Sequence, residues 1–529
     1  MRRWNGWGDD TVHYPLHPHV VHLLAELLGP GKPPRDAPLA SVLARVPASR
    51  LPSHPLVSTD PIERLCHARG QSFPDLVALR SGQIPAFPDG VAYPLGGDEV
   101  RALLRYAREV GAHVIPYGGG TSVVGHVNPQ SGPVPVLTID LCRCSSLIDL
   151  QPENRLATFG AGVAGPDLEA QLRAHGYTLG HFPQSFERST LGGWIATRSI
   201  GQQSLGYGRI DQLFVGGRLE APAGSLDLPP FPASATGPDL RQLLLGSEGR
   251  LGILSEATVR ISPLPEVEAF HAVFFPDWEH ALAAARTIAQ GRISLSMLRL
   301  SLPTETTISL AMAGNRRLVS LLENVLALRR IGEGKCMLLL GVTGGEKVVK
   351  LALGQALGIA RDHGGVHVGR SLGRQWQKSR FRAPYLRDEL WQHGYAVDTV
   401  ETATSWDNVT SLAGAVETAL CSGLAERGER VHAFTHLSHV YPTGSSIYTT
   451  FLFRLGHDAG EMYERWAALK HAASRAVIEH GGTISHQHGV GTDHRAYLEA
   501  EKGALGVAAM RHVVAAFDPD GLLNPGKLV

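Results

Sequence analysis

Pro116–Gly125 reads PYGGGTSVVG and follows the apolar pair Val114-Ile115. The pattern predicts a strand over His113–Pro116 that runs into a tight loop. Gly118, Gly119 and Gly120 are consecutive. Glycine enters left-handed backbone conformations that cost other residues roughly 1–2 kcal/mol. Such a run lets successive backbone N–H groups turn inward and form an anion nest. Thr121 and Ser122 add hydroxyl donors. No Gly-Lys-Ser/Thr follows and no GxGxxG occurs here, so neither a Walker loop nor the Rossmann fingerprint is present. Taken alone, the loop reads either as a diphosphate cradle or as a glycine-rich surface turn.

Outward from the loop, strands and helices alternate. Val91–Pro94, Pro135–Asp140 and Arg155–Phe159 read as strands, and Gly97–Gly111 and Ala164–Gly176 as helices, the latter with Pro166 near its start. This unit spans residues 89–265 and closes at Ile261–Pro265. Before it, residues 1–88 form an N-terminal arm with short helices at Val20–Leu28 and Asp60–Arg69. After it comes a cap over residues 266–455, with strands at Val273–Phe275, Met337–Leu340 and Ala396–Val400 and a helix at Trp278–Gln290. Residues 456–529 read as a helical segment returning to the site. Asn315–Arg330, NRRLVSLLENVLALRR, reads as a cap helix or a membrane-surface helix. The fold class is α+β.

Composition narrows the class. The chain has 529 residues, a formal net charge of +0, 43% hydrophobic and 19% charged residues. That is ordinary for a multidomain globular protein and favours neither nucleic acid nor a strongly acidic partner. The five cysteines include no CxxC pair, and Cys142 and Cys144 are too close for a zinc knuckle. Reduced thiols in a cytoplasmic protein are expected. The start, MRRWNGWGDD, has no apolar signal region, no run is long enough for a bilayer, and the end, Lys527-Leu528-Val529, is not a Ser-Lys-Leu peroxisomal address.

Three further stretches follow the glycine loop in order: SFERSTLGGW (Ser185–Trp194), SIGQQSLGYG (Ser199–Gly208) and LGSEGRLGILSEA (Leu245–Ala257). With PYGGGTS they resemble the two-part, PCMH-type FAD-binding half of the vanillyl-alcohol oxidase superfamily. The resemblance implies cofactor contacts at Pro116, Gly118, Gly119, Gly120, Thr121 and Ser122 in the pyrophosphate loop. It implies others at Pro183, Ser185, Ser189, Thr190, Gly192, Gly193, Thr197, Ser199 and Gly208, and at Glu248, Gly249, Gly252 and Ile253. Thr121 follows Gly120 where covalent relatives often carry a histidine, so the FAD is expected to be non-covalent.

Ser485–Gly491 reads SHQHGVG after Gly481-Gly482, which places His486 and His488 around Gln487 in a glycine-framed turn. Histidine serves as a base near neutral pH. Arg387, in Phe381–Asp388 FRAPYLRD, reads as a bidentate anion fork or as a surface partner of Asp388 or Glu389. Arg299 sits in an apolar run, Ser296–Leu300, and is either a buried salt bridge or a ligand anchor. His436 and His439 are ligands by type. Related flavin dehydrogenases of 2-hydroxy acids place a second ligand histidine where this chain has Tyr448, so no metal is expected. Tyr448 reads as a hydrogen-bonding or acid–base partner, or as a core strand tyrosine.

Trp4–Gly8 WNGWG, PYGGGTS, STLGGW, GSEGRLG, PYLRD, Val400–Trp406 VETATSW, SIYTTF and SHQHGVG occur in the order found in alkyldihydroxyacetonephosphate synthases. This narrower resemblance covers nearly the whole chain. It implies a flavoenzyme without net redox change that replaces the acyl group of acyl-dihydroxyacetone phosphate by a long-chain alcohol, in ether lipid biosynthesis. It implies His488 as principal base assisted by His486, Gln487 and Tyr448, and Arg387, with Arg299, on the substrate. The family pattern is His-His-His-Gly-Val-Gly, and Gln487 departs from it because glutamine does not titrate. A net oxidase or dehydrogenase of a 2-hydroxy acid or alcohol is the alternative. A lipid-like small-molecule substrate, a homodimer and a peripheral contact with the inner membrane face complete the expectations.

Overall fold

A computed structural model describes residues 2–312 and 316–529. The run before the glycines is strand His113–Tyr117. It pairs in parallel with Val136–Asp140, and that strand pairs in parallel with Gly90–Ala92. Helix Gly97–Glu109 covers this sheet with Val100, Leu103, Leu104 and Ala107, the spacing of one helical face. A second, five-stranded antiparallel sheet runs in the order Leu147–Gln151, Leu156–Gly160, Ile253–Arg260, Phe214–Ala221, Gly224–Leu228. The two sheets form the two-part cofactor half.

The cap is one antiparallel sheet of eight strands. Its main path runs Val366–Gly369, Val267–Phe275, Cys336–Gly344, Met297–Ser301, Val431–Leu437, Gly444–Arg454, Tyr395–Ser405. Helix Trp278–Gln290 is capped by Asp277, which accepts from the His280 N–H, and it buries Ala281, Ala284, Ala285 and Ala289. Small residues on that face bring the helix close to the sheet. The predicted helix at Asn315–Arg330 is present as Arg316–Leu328; Asn315 lies outside the described residues.

Residues 1–88 do not form a separate arm. Val57–Ser58 pairs with Gly90–Ala92 at the edge of the cofactor sheet. Helix Phe73–Ser81 instead buries Phe73, Leu76 and Val77 in the cap core. The C-terminal segment is likewise shared. Helix Ala459–Glu479 buries Trp466, Leu469, Ala473 and Val477 in the cap core, whereas Val514, on helix Leu498–Phe517, packs on the five-stranded sheet. Leu523 then bridges Val114 beside the glycine loop. Both chain ends therefore stitch the halves together, and the SHQHGVG loop lies between the two C-terminal helices. The sequence shows apolar periodicity but not which core receives it.

Candidate functional site

Between the cofactor half and the cap lies a cavity of about 500 Å³. Pro116, Gly118, Gly119, Gly120, Thr121 and Ser122 line it, with Pro183, Ser185, Ser189, Thr190, Gly192, Gly193, Thr197, Ser199, Glu248, Gly249, Gly252 and Ile253. Two of these glycines are required by close approach. A Cβ on Gly118 would strike Thr190 Oγ1, and one on Gly119 would strike the Arg188 carbonyl. The two glycine-rich segments thus interlock, and Gly120 adds a left-handed turn at φ +66°. A wall of this kind, backbone on both sides and hydroxyls between, fits a dinucleotide diphosphate. Gly208 lies off the wall. It ends the short helix Ser204–Tyr207, and a Cβ there would meet Gln212.

Glu248 does more than line the cavity. Its carboxylate accepts from the backbone N–H of Val490 (2.5 Å) and of Gly491 (2.8 Å). It lies 3.1 Å from His126 Nε2. The Gly-Ser-Glu-Gly turn therefore pins the loop that carries His488 against the cofactor wall.

His488, Gln487 and Tyr448 all reach the cavity; His486 does not. His486 is held away by Glu401, whose Oε1 is 2.9 Å from Nδ1, and by the Tyr441 hydroxyl, 2.7 Å from Nε2. It acts as a strut rather than as a second base on the wall. Gln487 Nε2 donates to the other Glu401 oxygen at 2.6 Å, and His488 Nε2 lies 3.8 Å from that oxygen. Glutamine at this position needs only to donate, a task that requires no titration. Glu401 is the hub of the loop. Burial pushes its carboxyl upward, but the hydrogen bond and charge of His486 and the nearby His488 outweigh that and hold it at about 2. Burial lowers the His488 pKa from the ordinary histidine value, with Glu401 partly opposing it. His488 is therefore a neutral imidazole at neutral pH.

Tyr448 stands on strand Gly444–Arg454 opposite Glu401. Its ring is edge-on to His488 at 6.2 Å and stacks on His436 at 4.8 Å. Burial, aided by Glu401, pushes its hydroxyl up to about 12, so it remains a proton donor. His436 is committed elsewhere: its Nδ1 lies 3.0 Å from Glu305, which also takes Arg299 Nη2 at 2.5 Å. Arg299 thus forms a salt bridge with the buried Glu305 while its own half-buried side chain borders the cavity. His439 faces Ser204 Oγ at 3.2 Å. Among the described residues no three His, Cys, Asp or Glu side chains are grouped to hold a metal ion.

Arg387 also borders the cavity. Its partners are the Gln71 carbonyl and Asp398 Oδ1, the latter at 3.3 Å, not Asp388 or Glu389. Asp398 is itself fixed by Trp466 Nε1 at 2.7 Å. Asp388 turns the other way, to Arg80 and Arg3. Leu76, Ile308, Met312, Leu386, Val397 and Phe434 line the same cavity, together with the polar Glu305, Ser309, Thr399 and Thr450.

Fold and site define an FAD-linked flavoprotein. Residues 88–226 match the FAD binding domain model, and residues 264–528 match the model of the C-terminal domain of FAD linked oxidases. Crystallised p-cresol methylhydroxylase shares the fold, with a TM-score of 0.66 at 13% identity over 89% of this chain and 93% of that one. The likeness is tighter to the alkyldihydroxyacetonephosphate synthase of Dictyostelium discoideum, 30% identical over 100% of this chain and 93% of the relative. The enzyme of that name from Trypanosoma brucei brucei is 29% identical over 100% and 92%. A solved alkyldihydroxyacetonephosphate synthase superposes with a TM-score of 0.84 at 26% identity, covering 100% of this chain and 99% of that structure. The chain belongs to the alkyldihydroxyacetonephosphate synthase family of FAD enzymes.

Proposed function

We infer that this protein is an FAD-dependent synthase that exchanges the acyl group of acyl-dihydroxyacetone phosphate for a long-chain alcohol, making an ether lipid precursor. The observation that carries the reading is the single cavity. It joins the glycine cradle to Arg387, Tyr448 and His488, with Leu76, Ile308, Met312, Leu386, Val397 and Phe434 on the same wall. When bound, the flavin supplies the electrophilic and nucleophilic ring on which the exchange depends.

The chain's own groups divide the remaining work. Arg387, fixed by Asp398, offers its fork to the substrate phosphate. The apolar side chains of that wall take the alkyl chain and keep water from the reacting carbon. His488, neutral and in reach, accepts a proton from the carbon beside the substrate carbonyl and from the incoming alcohol. Tyr448 keeps its proton and donates a hydrogen bond to oxygen. In the balance, the C1–O bond to the acyl group breaks, the fatty acid leaves as carboxylate, and an ether C1–O bond forms. The proton taken from C1 is returned to C1, and the alcohol proton passes by way of His488 to solvent. Incubation with acyl-dihydroxyacetone phosphate and hexadecanol under anaerobic conditions tests this: fatty acid is released over many turnovers while the flavin ends oxidised. Flavin that ends reduced after one equivalent contradicts it.

The lipid surface enters the same reading. Met312, at 42% exposure, borders the cavity and ends helix Pro303–Met312. On helix Arg316–Leu328, Leu321, Val325 and Leu328 are exposed at one-face spacing, with exposed Arg329 and Arg330 beyond. That pattern suits a peripheral contact with anionic lipid through which chains enter. Leu321→Asp with Leu328→Asp should abolish flotation with phosphatidylglycerol vesicles; unchanged flotation overturns the contact.

A further inference from the structure

The WNGWG segment near the N-terminus lies against both halves. Arg2 bridges Asp9, and Arg2 Nη2 reaches the Tyr117 hydroxyl (2.8 Å) and the Gly119 carbonyl (3.4 Å). Arg188 Nη2, from the cofactor half, donates to the Gly8 carbonyl at 2.5 Å. From the cap, Asp388 accepts from the Trp7 backbone N–H at 2.9 Å, and it is itself fixed by Arg80 at 2.7 Å. Gly6 packs on that carboxylate and Gly8, at φ +79°, on the Tyr385 ring, where side chains would collide. Trp7 is therefore held in place by backbone contacts.

Trp7 lines the cavity and is 5% exposed. Its Nε1–H is buried and finds no hydrogen-bond partner among the described residues. Tryptophan is donor-only, and a buried N–H without an acceptor is costly, so such groups are paired in finished structures. The surroundings say which acceptor suits it. Trp7 lines the same cavity as the glycine cradle and Arg387, and Arg188, which holds the neighbouring Gly8, sets its carbonyl against Gly119 of the cradle. A backbone nest and a guanidinium on one cavity favour an anionic oxygen as the acceptor.

We propose that Trp7 is a further ligand-binding residue, whose indole N–H donates to a phosphate oxygen of the molecule in the cavity. Two sources carry that chemistry, the cofactor diphosphate and the phosphate of the substrate. The assignment rests on the flavin and phosphate-ester reading above, but its test does not need turnover. Trp7→Phe keeps the aromatic wall and the backbone N–H to Asp388 and removes only the donor. Two bindings are measured: FAD to apoprotein by flavin fluorescence, and dihydroxyacetone phosphate to holoprotein by perturbation of the flavin spectrum. A loss of about tenfold or more, the worth of a hydrogen bond to a charged acceptor, is expected in one of them. Loss in the first assigns the diphosphate, and loss in the second with FAD unchanged assigns the substrate phosphate. Unchanged FAD affinity together with no such loss for dihydroxyacetone phosphate overturns the proposal. Should Phe lower the melting temperature, 1-methyltryptophan at position 7 removes the donor from an otherwise identical ring and is read by the same two measurements. A protein that fails the exchange assay but shows either loss leaves Trp7 assigned and the synthase reading wrong.

Discussion

Glu401→Gln isolates what the buried carboxylate does for the His488 loop. The two side chains have the same shape, so the strand and its packing are kept, but the charge is lost. Glu401 now accepts from Gln487 at 2.6 Å and bonds His486 at 2.9 Å, with His488 3.8 Å away. A unit charge at this range is worth about 4 kcal/mol to an imidazolium at an effective dielectric of about 20. If half of that is realised as His488 takes its proton, about 2 kcal/mol of transition-state stabilisation is lost, a fall of roughly 30-fold in rate. The pH profile gives an independent sign. His488 works as the neutral base and loses activity as it protonates on the acid side. Burial already lowers its pKa and Glu401 partly restores it, so removing Glu401 lowers it further. The acid limb of kcat/KM therefore moves to lower pH while the plateau drops. The assay is product formation from acyl-dihydroxyacetone phosphate and hexadecanol between pH 4.5 and 8, at about half-unit steps, with flavin content checked at each. A plateau within twofold of wild type and an unmoved acid limb would refute the coupling.

Other outcomes follow from the same geometry. Arg387→Lys keeps charge but loses the fork, and kcat/KM should fall by the equivalent of roughly 1.5–3 kcal/mol with the flavin spectrum unchanged; wild-type kinetics would make Arg387 a purely structural partner of Asp398. His488→Ala should retain FAD and lose on the order of 10²–10⁴ in rate, which bound-flavin absorbance and turnover measure together. Acid precipitation should release the flavin into the supernatant, and a washed pellet that stays yellow would show a covalent link. Prolonged chelation should leave the rate unchanged, because His436 is engaged by Glu305 and Tyr448 stands where related dehydrogenases have a second ligand; stoichiometric zinc or manganese by elemental analysis would reverse that.

The parts of this site that sequence reveals are those written in local backbone chemistry. Three glycines after an apolar run need left-handed or crowded positions wherever they fold, and the loop at Gly118–Ser122 lies on the cavity as that demands. His488 was legible because Gly489 and Gly491 frame it, both with positive φ. The supports were not legible, because they come from far along the chain. Glu401 meets His486 across 85 positions, and the VETATSW stretch that contains it carried no assigned role. A signal existed: an acid inside an apolar strand needs a partner. Arg387 shows the reverse error. Neighbouring acids in sequence looked like its partners, but on a helix adjacent residues point apart, and Asp398 on the facing strand takes the guanidinium. His486 fails for a related reason: alternation puts it on the face of His488 only if the loop is extended, and the turn sends it to Tyr441 instead. Residues 1–88 read as an arm because their apolar positions do not announce that they belong to two different cores.

Exchange without net oxidation is tested by following a labelled alcohol. The holoprotein is given acyl-dihydroxyacetone phosphate and a long-chain alcohol carrying an isotopic label, with no electron acceptor. Label should appear in the phosphate-bearing product, with one fatty acid released per label incorporated and no hydrogen peroxide. Absence of label, together with bleaching of the flavin by a 2-hydroxy acid under anaerobic conditions, would contradict exchange and make the protein a dehydrogenase on the same scaffold.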